Sequence, residues 1–300
     1  MLKRTITGGI ILLVTVAFVL LKMVSPLFLD AFILIIALAS LHEMINAYKI
    51  IDKTPNKIAL YVVPVLMCVV YIFAPTVLMA LALNCLIAVA LLIYLLTNDI
   101  VDFAKNRKLG TTEQNISVLN QSLFEKTKVS MMIYAYPLLP ISFLFAINHL
   151  PYEIGYIGII LVFVIAMLTD TCAYLVGRAF GKTKFVPEVS PNKTVAGLVG
   201  GFIGGIIGSL ACYFIFYYTD VFSVLNIAGQ GVSITAFLIV AVLGSFINQL
   251  GDLIASAFKR KINLKDYGKI FPGHGGFMDR YDGTMFVAVL VYLVLVVFFV

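Results

Sequence analysis

The chain has 300 residues, of which 62% are hydrophobic and 12% are charged, and its formal net charge is +6. A soluble domain carries about 25% charged residues, so this composition excludes an ordinary soluble protein. It is typical of an α-helical membrane protein that crosses the bilayer several times. The positive net charge does not indicate a nucleic-acid partner, because in a membrane protein the placement of charge matters more than its total.

Nine apolar segments are predicted to cross the membrane as helices, since a crossing helix needs about 20 predominantly apolar residues. They cover approximately residues 6–24, 27–47, 58–74, 76–96, 129–148, 153–175, 196–218, 233–257 and 284–300. Spans three and four are almost contiguous, which predicts a tight helical hairpin. Pro137 and Pro140 fall inside the fifth span and should kink it. The first span lacks a clear signal-peptide cleavage site and is predicted to be retained.

The basic residues predict the orientation of the spans. If the N-terminus lies in the cytoplasm, 20 of the 21 Lys and Arg residues fall on the cytoplasmic side and only Lys22 falls outside. Such an asymmetry is the positive-inside rule. We therefore expect an all-α, multi-pass protein of the cell (inner) membrane. We divide it into N-terminal helices with a cytoplasmic loop (residues 1–128, spans one to four) and a C-terminal transmembrane region (residues 129–300, spans five to nine).

Span seven carries two glycine ladders at spacing i, i+4, which predict close packing against another helix. The ladders are Gly197, Gly201 and Gly205, and Gly200, Gly204 and Gly208. The four cysteines lie singly inside apolar spans, so neither disulfides nor a zinc site is expected. The chain also contains no G-x-x-x-x-G-K-[ST] phosphate-binding loop.

Residues 251–283, hereafter the charged block, contrast with the apolar spans on either side. Asp279 and Asp282 are spaced i, i+3, so one helix face can present both. With Asp252 they form a set of three carboxylates that suits a hard cation such as Mg²⁺. Capping of a helix N-terminus is the alternative for Asp279 and Asp282, but Asp252 lies at the negative end of its helix.

The basic residues of the charged block allow two interpretations. A cytoplasmic row of Lys and Arg is usually a topology signal or a contact for lipid head groups. Here the row alternates with acids and with the glycine turn (residues 272–276), whose backbone can approach an anion closely. His274 in that turn is therefore a candidate phosphate contact.

Residues 170–194, hereafter the second block, also carry polar groups at the predicted cytoplasmic level. An acid within a span is a candidate functional residue, although Asp170 could equally pair with a basic residue of a neighbouring helix. The run S-P-N-K-T at residues 190–194 resembles a phosphate-gripping loop but is on its own only a turn. Glu43, beside His42 in span two, is expected to pair with a basic residue.

The run from Ser256 to Asp282, S-A-F-K-R-K-I-N-L-K-D-Y-G-K-I-F-P-G-H-G-G-F-M-D-R-Y-D, closely resembles the signature of phosphatidate cytidylyltransferases, also called CDP-diacylglycerol synthases. The second block resembles further segments of that family, so the resemblance covers roughly the last 135 residues. Four features depart from the family pattern: Tyr281, the pair Val195-Ala196, Ala255 and Asn248.

The resemblance implies that CTP and phosphatidic acid react to give CDP-diacylglycerol and pyrophosphate at the cytoplasmic face. It implies Mg²⁺ on Asp252, Asp279 and Asp282, with a second cation left open, and a homodimer. Lys259 and Arg260 join the three acids as expected catalytic residues. The expected substrate-binding residues are Asp170, Ser190, Lys193, Thr194, Ser256, Lys265, Asp266, His274, Gly275, Gly276 and Arg280.

Two alternatives remain at this point. A related CTP-dependent lipid kinase would transfer the γ-phosphoryl group to a lipid alcohol. A cation-coupled transporter is the alternative from a different class, because Glu43 and Asp170 are acids within spans. The clustering of acids at one face rather than at the bilayer midplane argues against a transporter.

Overall fold

The computed structural model describes residues 2–51, 53–108, 124–273 and 275–300, and these residues form mainly helices. Between two of the helices the described residues also form one small β-hairpin. The first half contains α1 (Leu2–Leu21), α2 (Pro26–Lys49), α3 (Lys57–Phe73), α4 (Val77–Lys108), α5 (Glu125–Ile133) and α6 (Leu139–Asn148). The second half contains α7 (Tyr152–Phe180), β1 (Lys184–Val186), β2 (Ser190–Thr194), α8 (Val195–Tyr218), α9 (Ser223–Ala228), α10 (Gln230–Lys261), α11 (Met278–Tyr281) and α12 (Thr284–Phe299).

The predicted all-α, polytopic membrane class is confirmed. In the described ranges, seven helices are long and apolar enough to cross a membrane, and two shorter apolar helices cover 6–21 and 57–73. Each of the nine predicted spans coincides with one of these segments. How many of them cross the bilayer, and on which side the N-terminus lies, stay predictions.

Helices α7 and α8 form the most intimate helix pair of the described chain, and both glycine ladders take part. A Cβ on Gly201 would lie 2.8 Å from the backbone oxygen of Thr169, and one on Gly204 would lie 2.5 Å from the Cys172 side chain. Glycine lets two backbones approach closely where lipid provides no hydrophobic drive for association. The predicted packing role of the glycine ladders is confirmed.

The fifth predicted span is broken where the prolines predicted a kink. Between α5 and α6, residues Tyr134–Leu138 form an irregular, π-like turn in which Tyr136 leaves helical dihedral angles (φ −146°, ψ 106°). Pro137 lies in this turn, and proline cannot donate the backbone hydrogen bond that a regular helix needs. At this break the Tyr136 ring stacks on the rings of Phe258 and Phe286, with distances between ring centres of 5.3 and 5.9 Å.

Lys22, the basic residue predicted to lie outside, is buried within the protein. Its Nζ donates to the Asn148 carbonyl at 3.1 Å and lies 4.8 Å from the centre of the Tyr156 ring. The nearby Asp30 carboxylate bonds Asn148 Nδ2 at 2.8 Å and His149 Nε2 at 3.0 Å. These contacts tie the start of α2 to the end of α6.

Gly201→Ala should destabilise the protein, because the new Cβ would press on the backbone of α7, which cannot turn away as a side chain can. Overpacking of this kind typically costs about 1–3 kcal/mol. Thermal unfolding in detergent measures the change. Gly231→Ala is the matched control, since nothing lies within 4 Å of a Cβ at that position. Equal stability of the two variants would contradict the packing role.

Candidate functional site

A cavity of about 660 Å³ lies between the second block and the charged block. Its walls come from the C-terminal half of α7, the β-hairpin, the start of α8, the C-terminal half of α10 and one residue of α11. The polar and charged residues that line it are Asp170, Tyr174, Arg178, Lys184, Ser190, Asn192, Lys193, Thr194, Gln249, Asp252 and Arg280. Four cationic side chains thus surround a space that also exposes two carboxylates.

The two blocks meet through the β-hairpin. Strands β1 and β2 pair antiparallel, with Lys184 opposite Thr194, so the run S-P-N-K-T is a strand rather than a free loop. Lys193 Nζ lies 2.8 Å from Asp252 Oδ2, and Arg260 Nε donates to the Val189 carbonyl at 3.1 Å. The structure therefore brings Lys193 and Asp252 together at the cavity, whereas Arg260 bonds the hairpin and does not line the cavity.

Asp170 lies on the cavity side of α7 and is held by α10. Asn248 Nδ2 donates to Asp170 Oδ1 at 2.8 Å. Among the described residues this amide, rather than a basic side chain, is the hydrogen-bond partner of Asp170. Lys193 and Arg280 act on it only through their fields. Asn248, noted in the sequence only as a departure from the family pattern, is thus the residue that positions Asp170.

Asp282 is buried, and its Oδ1 accepts the N–H of Gly283 at 2.9 Å. The negative charges of Asp252 and Asp170 act on this carboxyl group, and the positive charges of Lys259 and Arg280 offset them in part. Like charges held close together in a poorly solvated place repel one another strongly. The charges of three carboxylates, those of Asp170, Asp252 and Asp282, therefore act on one another at the base of the site.

Asp279 holds the charged block together. Its Oδ1 pairs with Lys259 Nζ at 2.7 Å, and its Oδ2 accepts the N–H groups of Tyr267 and Gly276, both at 2.9 Å. Both oxygens are thus engaged, and the side chain is 3% exposed. Gly275 must be glycine here, because its φ is +83° and a Cβ would lie 2.7 Å from Asp279 Oδ2. Helix capping alone does not describe this residue.

Lys259 and Tyr267 complete the surroundings of Asp279. The Lys259 ammonium is buried and lies 5.5 Å from the centre of the Tyr267 ring. Burial, together with the charges of Asp282 and Asp279, raises the pKa of the Tyr267 hydroxyl above its ordinary value. Tyr267 therefore stays protonated, and its hydroxyl donates to the Ala255 carbonyl at 3.4 Å.

Glu43 is, with Asn248, a residue of this region whose role sequence reasoning missed. It accepts the N–H groups of Phe277 and Met278 at 3.0 and 2.9 Å, so the expected pairing with a basic residue is wrong. Its neighbour His42 bonds Tyr61 and Asn46 instead. The one available signal was an acid in an apolar span, which does not say what the acid binds.

The other predicted site residues divide into three groups. Ser256 Oγ lies 3.4 Å from Asp252 Oδ1, and the Thr194 hydroxyl caps α8 by accepting the Gly197 N–H at 3.1 Å. Lys265 and Asp266 are exposed and do not line the cavity. His274 lies outside the described residues.

The predicted metal ligands are not gathered as a trio. In the described ranges, no three His, Cys, Asp or Glu side chains lie close enough together to hold a metal ion. Asp252 borders the cavity, Asp282 is buried behind it, and Asp279 is bonded to Lys259. A cation bound by Asp279 would therefore compete with an ammonium group that is already in place.

Comparisons with known proteins extend the resemblance over the whole chain. A model of the cytidylyltransferase family matches residues 2–298. A phosphatidate cytidylyltransferase of Staphylococcus haemolyticus (strain JCSC1435) is 33% identical over 213 residues, 70% of this chain and 77% of that protein. A protein of the same name from Staphylococcus saprophyticus is 34% identical with the same coverage. One from Staphylococcus aureus (strain COL) is 36% identical over 60% of this chain and 65% of its own length.

Asp279→Asn should strongly destabilise the fold, because it leaves the Lys259 ammonium buried without its carboxylate. Breaking a buried pair on one side typically costs about 3–5 kcal/mol. The double change Lys259→Met with Asp279→Asn removes the stranded charge and should recover part of that loss. Thermal unfolding and the folded yield on size exclusion measure both effects.

Asp252→Asn is the matched control, since its ion pair with Lys193 is partly exposed and such pairs contribute about 0–1 kcal/mol. If Asp279→Asn were as stable as Asp252→Asn, the assignment of Asp279 as the brace of the charged block would be wrong.

Proposed function

We propose that this chain, which belongs to the cytidylyltransferase family, transfers the cytidylyl group of CTP to phosphatidic acid. The products are pyrophosphate and CDP-diacylglycerol, and the enzyme is a nucleotidyltransferase of phospholipid biosynthesis. The relatives named phosphatidate cytidylyltransferase support this assignment. The structural observation that carries it is the cavity, in which side chains of both signature-like blocks meet.

The charges of the cavity suit substrates rich in phosphate. Lys184, Lys193, Arg178 and Arg280 line its walls. Arg can grip a phosphate with two parallel hydrogen bonds, whereas Lys acts as a compact positive charge. A triphosphate and a lipid phosphate together bring more negative charge than these four side chains balance. A bound cation would offset the remainder.

In the proposed reaction an ionised phosphatidate oxygen attacks the α-phosphorus of CTP. A new P–O bond forms to the lipid phosphate, the bond between the α-phosphorus and the bridging oxygen breaks, and pyrophosphate leaves with that electron pair. Since the attacking oxygen is already ionised near neutral pH, no strong general base is needed. The chain must instead align the two phosphates and offset charge, and Lys193 and Arg280 stand where they can do so.

The acids of the site suit Mg²⁺, which prefers carboxylate and phosphate oxygens. The repulsion that Asp282 experiences from Asp252 and Asp170 is what a bound cation would relieve. Asp252 and Asp282 are the carboxylates that would hold it, and Asp279 could join them only by releasing Lys259. Mg²⁺ supplies Lewis-acid stabilisation of phosphate charge.

The cytoplasmic face is the proposed location of the cavity. CTP is a cytoplasmic nucleotide, phosphatidic acid is a membrane lipid, and the 20-to-1 distribution of basic residues supports this side. The cell membrane of a bacterium is the matching location, since the named relatives are staphylococcal. The homodimer stays a prediction.

The product of the reaction tests the proposed function. Purified protein incubated with phosphatidate, CTP labelled in the cytidine and Mg²⁺ should transfer the label to a lipid with the mass of CDP-diacylglycerol and release pyrophosphate. Transfer of the γ-phosphoryl group to a lipid alcohol, with CDP released, would instead identify a lipid kinase. Ion uptake into liposomes without CTP turnover would support a transporter.

Substitutions at the cavity wall and at the carboxylate buried behind it should lower turnover without unfolding the protein. Asp252→Asn and Asp282→Asn each remove one charged ligand, so kcat should fall by about 100-fold or more. The double change should add little, because a site that has lost its cation cannot lose it twice. Lys193→Ala should raise the KM for CTP or phosphatidate, or lower kcat.

Asp102→Asn is the matched control for these variants, since Asp102 forms a comparable pair with Lys126 at 2.9 Å but does not line the cavity. Near-normal turnover in folded Asp252→Asn protein would remove Asp252 from the proposed catalytic set.

A further inference from the structure

We infer that Glu43 is a positioning residue for this reaction: from the second helix it fixes the backbone that leaves the glycine turn, at Phe277 and Met278, and through it the placement of Asp279, Arg280 and Asp282. This inference rests on the proposed function for its kinetic consequence. The contacts on which it is based belong to the structure alone. They connect two segments more than two hundred residues apart in sequence.

Three successive backbone N–H groups, those of the last residue of the glycine turn and of the two residues after it, bind carboxylates. The Gly276 N–H donates to Asp279 Oδ2 at 2.9 Å, the Phe277 N–H to Glu43 Oε1 at 3.0 Å, and the Met278 N–H to Glu43 Oε2 at 2.9 Å. Each oxygen of Glu43 thus has its own donor. A bidentate contact of this kind fixes direction as well as distance. The chain is held at the point where the turn becomes α11.

Two glycines of the charged block fit around the Glu43 carboxyl group. A Cβ added to either Gly268 or Gly276 would overlap the carboxyl atoms of Glu43. Neither glycine has a positive φ, so room for Glu43, rather than backbone conformation, explains the absence of a side chain. Both positions belong to the stretch that resembles the family signature. Part of that signature is therefore shaped to admit a side chain from elsewhere in the chain.

Burial of the Glu43 carboxylate costs free energy unless its oxygens are hydrogen-bonded. Glu43 is 4% exposed, and its hydrogen-bond partners in the described part of the chain are backbone N–H groups rather than a cation. A carboxylate in an apolar helix is costly, and two well-directed N–H donors offset part of that cost. If this position served only to pack the helix, an apolar side chain of the same shape would do so without the cost of burying a carboxylate.

The turn that Glu43 holds leads directly into the site. Asp279 and Arg280 follow Met278 in α11, and Asp282 comes one residue after that helix ends. Arg280 lines the cavity, whereas Asp282 lies near Asp252. A shift of about 1 Å in this turn would misalign groups that must meet two phosphates, and misplacement of that size can cost about 100-fold in rate.

Glu43→Gln tests the inference with little change in shape. Glutamine keeps one acceptor oxygen but turns an NH₂ group toward the second N–H, so one of the two hydrogen bonds is lost. Glu153→Gln is the matched control. Glu153 Oε2 accepts the Val224 N–H at 2.8 Å, and the Ser223 hydroxyl bonds the same carboxylate. Glu153 is 17 positions before Asp170 on α7, about 25 Å along the helix.

Amide hydrogen exchange measured on the peptide that contains Phe277 and Met278 reports the contact directly, whatever the reaction catalysed. Glu43→Gln should raise the exchange rate at these amides by about tenfold or more, and Glu153→Gln should leave it unchanged. On protein selected as folded by size exclusion, Glu43→Gln should also lower kcat by about tenfold or more. Glu153→Gln should keep the kcat of the parent protein.

A double-mutant cycle with Gly268 separates positioning from a general loss of stability. Gly268→Ala places a methyl group into the Glu43 carboxyl; in Glu43→Ala protein that overlap is gone and the contact with the Gly276 Cα, at 3.0 Å, is the close one that remains. The loss of kcat in the double variant should be smaller than the product of the two single losses. Independent losses, or faster exchange with unchanged kcat, would overturn the positioning role.

Failure of this inference is distinguishable from failure of the proposed function. If the parent protein makes no CDP-diacylglycerol, the proposed reaction is wrong and the exchange measurement still tests the contact. If the parent is active and neither exchange nor kcat changes in Glu43→Gln, the inference is wrong and the reaction stands.

Discussion

Buried carboxylates that accept backbone N–H groups are the constraint on which the functional region depends. Asp279 and Glu43 together accept four N–H groups of the charged block. The ammonium of Lys259 balances the charge of Asp279. Backbone groups away from water must be bonded, and a turn rich in glycine has no regular ladder in which to bond them. Two acids from separate helices therefore supply the hydrogen bonds that a regular helix or sheet would otherwise provide. The rest of the bundle has to bring those helices together.

This requirement changes how the two halves of the chain relate. The division at residue 128 placed the chemistry in the C-terminal region, which carries both polar blocks. Yet α2 contributes Glu43, and α1 approaches the same turn, where the Thr7 hydroxyl lies 3.4 Å from the Pro272 carbonyl. The N-terminal helices thus form part of the wall against which the glycine turn is set.

Sequence reasoning identified local patterns and missed the contacts between distant segments. Apolar length located the helices, Pro137 located the break in the fifth span, and glycine spacing located the α7–α8 packing face. The spacing of Asp279 and Asp282 could not show that one braces Lys259 while the other is buried near Asp252, because that depends on where α10 lies. Nor could composition show that residues 190–194 form a strand, since a three-residue partner strand leaves almost no periodic signal. Glu43 stands out in the sequence as an acid within an apolar span. Its hydrogen-bond donors could not be predicted, because backbone N–H groups are present at almost every residue.

The pair formed by Lys193 and Asp252 gives the cavity wall a property that neither residue has alone. At 2.8 Å the two charges offset each other, so a ligand that draws one of them away leaves the other without its partner. A phosphate that attracts the ammonium frees a carboxylate for a cation, and a cation that attracts the carboxylate frees an ammonium for a phosphate. Occupancy by ions of opposite sign is therefore thermodynamically linked, and the linkage is reciprocal. By such an exchange the wall would take up a polyanion and its counterion together while its own net charge stayed the same.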